Sequence, residues 1–272
     1  EETIISTDEA IYGMTFVGNP FIFSFRLLGT DCGASGLNTM INIDGDVYWM
    51  GRRNLFTYNG VVKELVCPVQ YYVFDRMQTN YIDKVVVGHN KKFKEITWFY
   101  VSNDNSAGTI NPEPDSYVTY NYVENAWSIG TMDRTVWSDS FGARNVPFAF
   151  DPDGLLYNHE TGTSDNGSAM SSYIESSPRE ITQNGENLFM VDKVIPDVTM
   201  TSDTNLYFNL NSRKYPNATE VVKGPFTITS STQKVSTRAK GRQIAMKIYS
   251  TGTTDEWSIG DFRINAREDG LR

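Results

Sequence analysis

One stretch constrains the fold more than any other: residues 116–137, Ser-Tyr-Val-Thr-Tyr-Asn-Tyr-Val-Glu-Asn-Ala-Trp-Ser-Ile-Gly-Thr-Met-Asp-Arg-Thr-Val-Trp. Aromatic and β-branched residues crowd 117–123, Glu124 and Asn125 supply a turn, and Trp127 opens a return strand that Gly130 ends. Such side chains suit a pleated, half-buried surface, so the stretch predicts an antiparallel hairpin. A second copy of the design is expected near the C-terminus. There 246–250 leads through Gly252 to Trp257-Ser258-Ile259-Gly260 and Arg263, echoing Trp127-Ser128-Ile129-Gly130 and Arg134. Reuse of one hairpin predicts a chain made of repeating β modules.

Composition points the same way. The 272 residues include 15 Tyr, 15 Phe, 5 Trp and 21 Gly, and long helical periodicity is almost absent, so the expected class is all-β with many tight turns. Trp49, Trp98, Trp127 and Trp257 are the expected structural core. Residues 3–7, 10–16 and 21–27 read as a small meander. Segments 40–43, 47–50, 55–58 and 61–66, separated by Asp44-Gly45, Arg52-Arg53-Asn54 and Asn59-Gly60, read as four strands, the content of one propeller blade. Residues 69–84 break the pattern with Val69, Tyr72, Val73, Met77 and Tyr81 near helical spacing after Pro68, which predicts one amphipathic helix. The run 96–101, Ile-Thr-Trp-Phe-Tyr-Val, is apolar on both faces and reads as a strand sandwiched on both sides. Residues 103–115 read as an exposed loop, and a further module spans 147–181 around the turn Asp151-Pro152-Asp153-Gly154. The expected organisation is a β-propeller portion over 1–185, of about four blade-sized modules, and a β-sandwich-like domain over 186–272, with the boundary near Asn184-Gly185. The opening at Glu1, inside what reads as a β module, leads us to expect further sequence before it.

The chemistry-bearing residues are sparse. Cys32 and Cys67 are the two cysteines, 35 apart, a spacing that fits neither a zinc ribbon nor a redox pair; buried thiols and a disulfide both remain open. His89 and His159 are the two histidines, neither with a second histidine at metal-pair spacing, so no metal and no cofactor is expected. No P-loop, nucleophile elbow or dinucleotide fingerprint is present. Asp44, Asp46, Asp151, Asp153 and Glu160 are the carboxylates a glycosidase would draw on, but Asp44, Asp151 and Asp153 stand where turns need Asp. Residues 238–242 are locally basic and read as a solvated strand end. A net charge of −9 argues against a grip on nucleic acid, though not against a surface past which DNA slides. No run of 18 apolar residues is present, so no membrane partner is expected.

Taken in order, Tyr12-Gly13-Met14 with Gly18, Cys32-Gly33, Val47-Tyr48-Trp49-Met50-Gly51, Phe56 with Asn59-Gly60, Thr97-Trp98-Phe99-Tyr100, Trp127-Ser128-Ile129-Gly130 with Arg134, Leu156-Tyr157-Asn158-His159-Glu160, Pro196-Asp197, Gly241-Arg242 and the end containing Gly270 form a recognisable series. The series resembles the tail hub or nozzle (head-to-tail stabilisation) virion proteins of tailed bacteriophages, over nearly the whole chain. The resemblance implies a propeller with an attached β domain and assembly with copies of itself into a ring of six around the DNA channel. Other tail or neck proteins such as adaptor and fibres would be its neighbours in the virion, and DNA would pass without specific binding. No catalytic residue belongs to that pattern, so the chain is not expected to be an enzyme. Such proteins usually carry a larger N-terminal part than this chain has. An acidic channel lining would favour free passage of DNA. The alternatives are a carbohydrate-binding or carbohydrate-cleaving propeller, such as a host-receptor or depolymerase module, and a monomeric protein-interaction propeller.

Overall fold

The computed structural model describes residues 2–106, 112–181 and 187–270. It is all-β, and its contacts divide it into two compact units, Glu1–Thr161 and Gly162–Arg272. The first unit runs through four antiparallel meanders whose strands pair in sequence order. They are Thr3–Ser6, Ala10–Phe16 and Phe23–Thr30; Met40–Ile43, Asp46–Met50, Leu55–Tyr58 and Val62–Glu64; Val86–Asn90, Glu95–Tyr100, Ser116–Asn121 and Ala126–Thr131; and Val136–Ser138, Phe148–Phe150 and Leu156–Asn158.

Turn chemistry sets these registers. Asp44 and Gly45 both take positive φ, 52° and 102°, which a two-residue hairpin requires to match the strand twist. In the Ser116–Thr131 hairpin, Asn121 Oδ1 accepts the Val123 and Glu124 N–H groups, and Asn125 takes φ 52°. The ladder is thereby fixed from Ser116↔Thr131 to Asn121↔Ala126. The doubly apolar run is buried on both faces: Ile96, Trp98, Phe99, Tyr100 and Val101 are each at most 1% exposed.

Consecutive meanders are stitched by indole hydrogen bonds. Trp49 Nε1–H donates to Cys32 O at 2.7 Å, Trp98 Nε1–H to Thr39 O at 3.0 Å, and Trp137 Nε1–H to His89 O at 2.9 Å. Each donor therefore reaches backbone that precedes its own sheet. A buried indole needs such a partner, and a carbonyl left unpaired in the interior would cost about 1–3 kcal/mol. Gly88 makes the last stitch possible, because a Cβ there would lie 2.5 Å from Trp137 Cγ.

Several expectations are corrected. The single helix over 69–84 is an α-helix, Gln70–Arg76, followed by a 3-10 segment, Thr79–Lys84. Between them Met77 bridges to Ser102, and Gln78 N–H donates to Val101 O at 2.9 Å, so sheet pairing takes over the backbone groups that helix would have used. A second short helix, Asn103–Ser106, stands at the start of the expected loop. The C-terminal hairpin does not form: Gln243–Ser250 pairs with Leu206–Arg213, and Trp257–Ile259 pairs with Val198–Met200. Asp255 Oδ2 accepts Gly252 N–H at 2.6 Å, and Glu256 N–H donates to Thr204 Oγ1 at 3.0 Å, which turns the chain away before it can fold back. The expected boundary at Asn184-Gly185 lies outside the described residues. The contact division at Thr161/Gly162 is earlier because Ser172–Glu175 and Arg179–Glu180 pair with Gln243–Ser250; the module expected over 147–181 is thus split between the units. Cys32 and Cys67 are both buried free thiols, and burial raises the pKa of each.

The second unit is a β-sandwich. One sheet orders Ser172–Glu175, Gln243–Ser250, Leu206–Arg213 and Val221–Ile228, with Arg179–Glu180 also on the second strand; the other orders Val235–Gly241, Phe189–Ile195 and Arg263–Glu268. Alternation along the strands puts Leu206, Phe208, Leu210, Ile244 and Ile248 from the first sheet, with Phe189, Val191, Val194, Val235 and Ala239 from the second, into one core.

Candidate functional site

Two features of the first unit combine exposure or buried charge with positioned side chains. One is an apolar edge. Strand Phe23–Thr30 pairs with Ala10–Phe16 alone among the described residues, so its other edge is unpaired. Alternation at Phe23, Phe25 and Leu27 gives one face of that edge an apolar row, 48%, 62% and 52% exposed. The preceding turn adds Phe16, Val17, Phe21 and Ile22, at 72%, 54%, 78% and 58%. Phe16 and Phe23 meet edge to face, with centroids 6.0 Å apart. Isolated exposed apolar residues are ordinary, whereas a contiguous row on a free strand edge is a surface prone to pairing with another chain. Arg26 on the same strand is tied to Glu2, whose other carboxylate oxygen accepts from Tyr58 Oη–H at 2.7 Å. The Tyr58 hydrogen bond, with Arg26, holds Glu2 below the usual carboxylate range, so the ionised form of Glu2 is the one that braces this sheet.

The other feature is a polar node between the third and fourth meanders. Trp137 packs its ring against His159, centroids 4.6 Å apart, and against Phe99 at 5.8 Å. Arg134, 8% exposed, donates from Nε to His159 Nε2 at 3.0 Å and lies over the Tyr157 ring. In that bond the Arg134 guanidinium donates and His159 Nε2 accepts. His89 Nδ1 lies 3.4 Å from Asp139 Oδ2 and its Nε2 3.3 Å from Tyr122 Oη. Burial lowers the His89 pKa, against the opposing pull of Asp139. Beside them Asn90 Nδ2–H donates to Glu160 Oε1 at 2.8 Å. Burial raises both Glu95 and Glu160, and the Glu160 charge raises Glu95 further.

The sequence-level candidates are distributed unevenly across these features. His89, His159 and Glu160 converge on the node. Asp44 sits in its hairpin turn at φ 52°, Asp46 opens the following strand, and Asp151 Oδ1 accepts Leu155 N–H at 2.8 Å as a turn cap. Asp153 is exposed in the same turn. Trp49 and Trp98 are fully buried. Trp127 stacks on Tyr120 at 4.5 Å, and Trp257 donates to Ser250 Oγ at 3.0 Å, both part-buried. Sequence reasoning passed over Trp137, Asn90 and Glu95. The signal for Trp137 was present in Thr-Val-Trp-Ser, a strand-like run holding one large donor side chain. Nothing local marks Glu95, whose environment comes from a chain segment 65 residues away, at Glu160. Among the described residues no group of three or more His, Cys, Asp or Glu could hold a metal ion, and no helix is long and apolar enough to cross a membrane.

No family model and no curated protein matches the chain. Among solved structures it aligns with a protein described as a glycoside hydrolase, at 11% identity and TM-score 0.25, covering 97% of this chain and 81% of that one. It also aligns with an exo-β-1,3-galactanase from Phanerochaete chrysosporium bound to β-1,3-galactotriose, at 9% identity and TM-score 0.25, over the same shares. Likeness at this level carries no argument about fold or activity.

Proposed function

We propose that this chain is a structural subunit of a bacteriophage tail, a hub or nozzle protein that assembles with copies of itself into a ring continuing the DNA channel. The observation that carries the reading is the unpaired Phe23–Thr30 edge with its apolar row. A strand in that state adds a neighbouring strand readily, with backbone hydrogen bonds giving affinity and alternate side chains giving fit. The four consecutive meanders have the strand order of propeller blades, and a rigid blade array suits a role that is geometric. The overall charge of −9 suits a lumen that repels DNA. In this proposal the ring has six copies, the neighbours are adaptor and fibre proteins, and no reaction is catalysed.

The test is the mass of the full chain in solution by light scattering at micromolar concentration, with electron microscopy of the particles. A closed ring is expected, and the double variant Phe23→Asp, Phe25→Asp is expected to run as a folded monomer. A wild-type chain that is monomeric at every concentration, or rings untouched by the double variant, would sink the proposal. A carbohydrate-cleaving reading has one observation in its favour, the coupled carboxyls Glu95 and Glu160, whose pKa values burial moves upward, the direction a general acid needs. Release of reducing ends from a polysaccharide, abolished by Glu160→Gln, would establish that reading instead.

A further inference from the structure

The outward face of the second unit's larger sheet carries an aromatic row that packing does not require. Tyr173, Tyr249 and Tyr207 are direct cross-strand partners on three neighbouring strands, so their rings emerge side by side on one face. The inward face of the same strands is set by Phe208 and Ile248 in the core, which leaves the tyrosines on the solvent side. Tyr207 stacks on Tyr249, with centroids 5.3 Å apart and planes 29° from each other, and so fixes the Tyr249 ring; Tyr173 is 62% exposed. With strands about 4.8 Å apart, the row spans about 10 Å, the length of a disaccharide.

Polar groups flank the row on both sides. Lys247 Nζ stands 4.7 Å over the Tyr173 ring and 3.2 Å from Glu175 Oε2, and Asn209 pairs with Lys247 in register. Ser171, Tyr173, Asn209, Lys247, Tyr249 and Thr251 line an open depression of about 390 Å³, within the range of small-ligand sites. Flat rings beside hydroxyl, amide and ammonium groups match the two halves of a sugar, whose axial C–H face is apolar and whose rim is hydroxylated. Stacked nucleic-acid bases also use aromatic rows, but they come with a basic groove for the phosphates. Here Lys247 is neutralised by Glu175, so a charged backbone finds no counterpart.

We propose that this face binds a neutral polysaccharide, with Tyr249, held by Tyr207 behind it, as the stacking ring, Tyr173 as a second stacking wall, and Asn209, Lys247, Ser171 and Thr251 hydrogen-bonding its hydroxyls. The proposal is independent of ring assembly, which depends on the first unit's edge strand.

Affinity electrophoresis of the full chain tests it, in native gels cast with dextran, a mannan, a β-glucan or a galactan. Retardation is expected in at least one gel, weakened about tenfold by Tyr249→Ala and also by Tyr173→Ala, whose exposed ring leaves folding intact. Tyr249→Phe keeps the ring and is expected to retain most of the retardation, and Lys234→Ala all of it. Absence of retardation in all four gels, retardation indifferent to both alanine variants, or a changed oligomeric mass in Tyr173→Ala without any retardation would each overturn the proposal.

Discussion

The two units reach the same strand content by opposite routes. In the first, every sheet is a run of neighbours in sequence, and contact between one sheet and the next is secured by single tryptophans, as when Trp98 of the third meander reaches Thr39 before the second. In the second, strands far apart in the chain are brought side by side. Ser172 and Ser250 face each other across 78 positions and share a hydroxyl hydrogen bond at 3.0 Å. Local pairing needs only turn residues and alternation to be specified, whereas long-range pairing needs a complete core before any one strand has a place. The stitched meanders add single large donor side chains to a locally paired core, whereas the sandwich core is assembled from strands far apart in the chain.

That contrast can be broken by mutation. The largest effect is expected from Trp98→Ala, which removes a fully buried indole and its bond to Thr39 O, at about 3–5 kcal/mol. Hydrogen exchange should show lost protection in the strands Met40–Ile43 and Glu95–Tyr100 and unchanged protection in Leu206–Arg213; uniform loss in both units would defeat the contrast. A smaller and sharper pair is Trp98→Phe against Trp257→Phe. The first loses ring volume from a closed core and one of the two donors to Thr39 O, which keeps the Met50 N–H at 3.3 Å, expected to cost about 1–3 kcal/mol, while the second loses one bond from a part-buried indole to Ser250 Oγ, about 1 kcal/mol. Denaturant midpoints of the two variants measure the difference, and equal losses would show that the stitch has no special weight.

The least effect concerns the node, and its sign is definite. Glu95 has a folded pKa raised above the ordinary 4.5, first by burial and then by Glu160, so the folded state binds its proton more tightly than the unfolded chain does. Stability from this group is greatest below 4.5 and is lost as pH rises through the raised value. Glu95→Gln is expected to raise the thermal midpoint at pH 7 and to leave it unchanged in acid below 4.5. His89 carries the opposite sign: its lowered pKa makes stability fall as pH drops from the ordinary 6.5 toward the folded value. In the His89→Gln variant that acid-side loss is expected to disappear from a pH series of thermal melts.

Much of the first unit was legible in the chain because its information is local. Asp44-Gly45 and Asn59-Gly60 named their turns, the hairpin around Glu124-Asn125 formed although its strands stop at Asn121 and resume at Ala126, two residues short of the expected Val123, and Ile96 to Val101 announced double-sided burial. The helix boundary was not legible, since Met77 and Gln78 have helical spacing but find strand partners at Ser102 and Val101. The apparent copy of the hairpin around Trp257 misled for the same reason. Its residues resemble Trp127 to Gly130, yet the competing partner, Val198–Met200, lies more than 50 positions away. Of the node, His89, His159 and Glu160 were visible as residue types, but their meeting through Trp137 was not.

Periodicity and turn chemistry by themselves determined that this protein is all-β and where many of its first-unit strands begin and end. The tertiary structure alone decided which strand lies beside which in the sandwich, that Glu95 sits under the charge of Glu160, and that three tyrosines from distant segments share one face. The physical reason is the range of the forces involved. Backbone preference and alternation act over a few residues and are written in order, while burial, charge coupling and cross-strand partnership depend on neighbours that only the folded chain supplies.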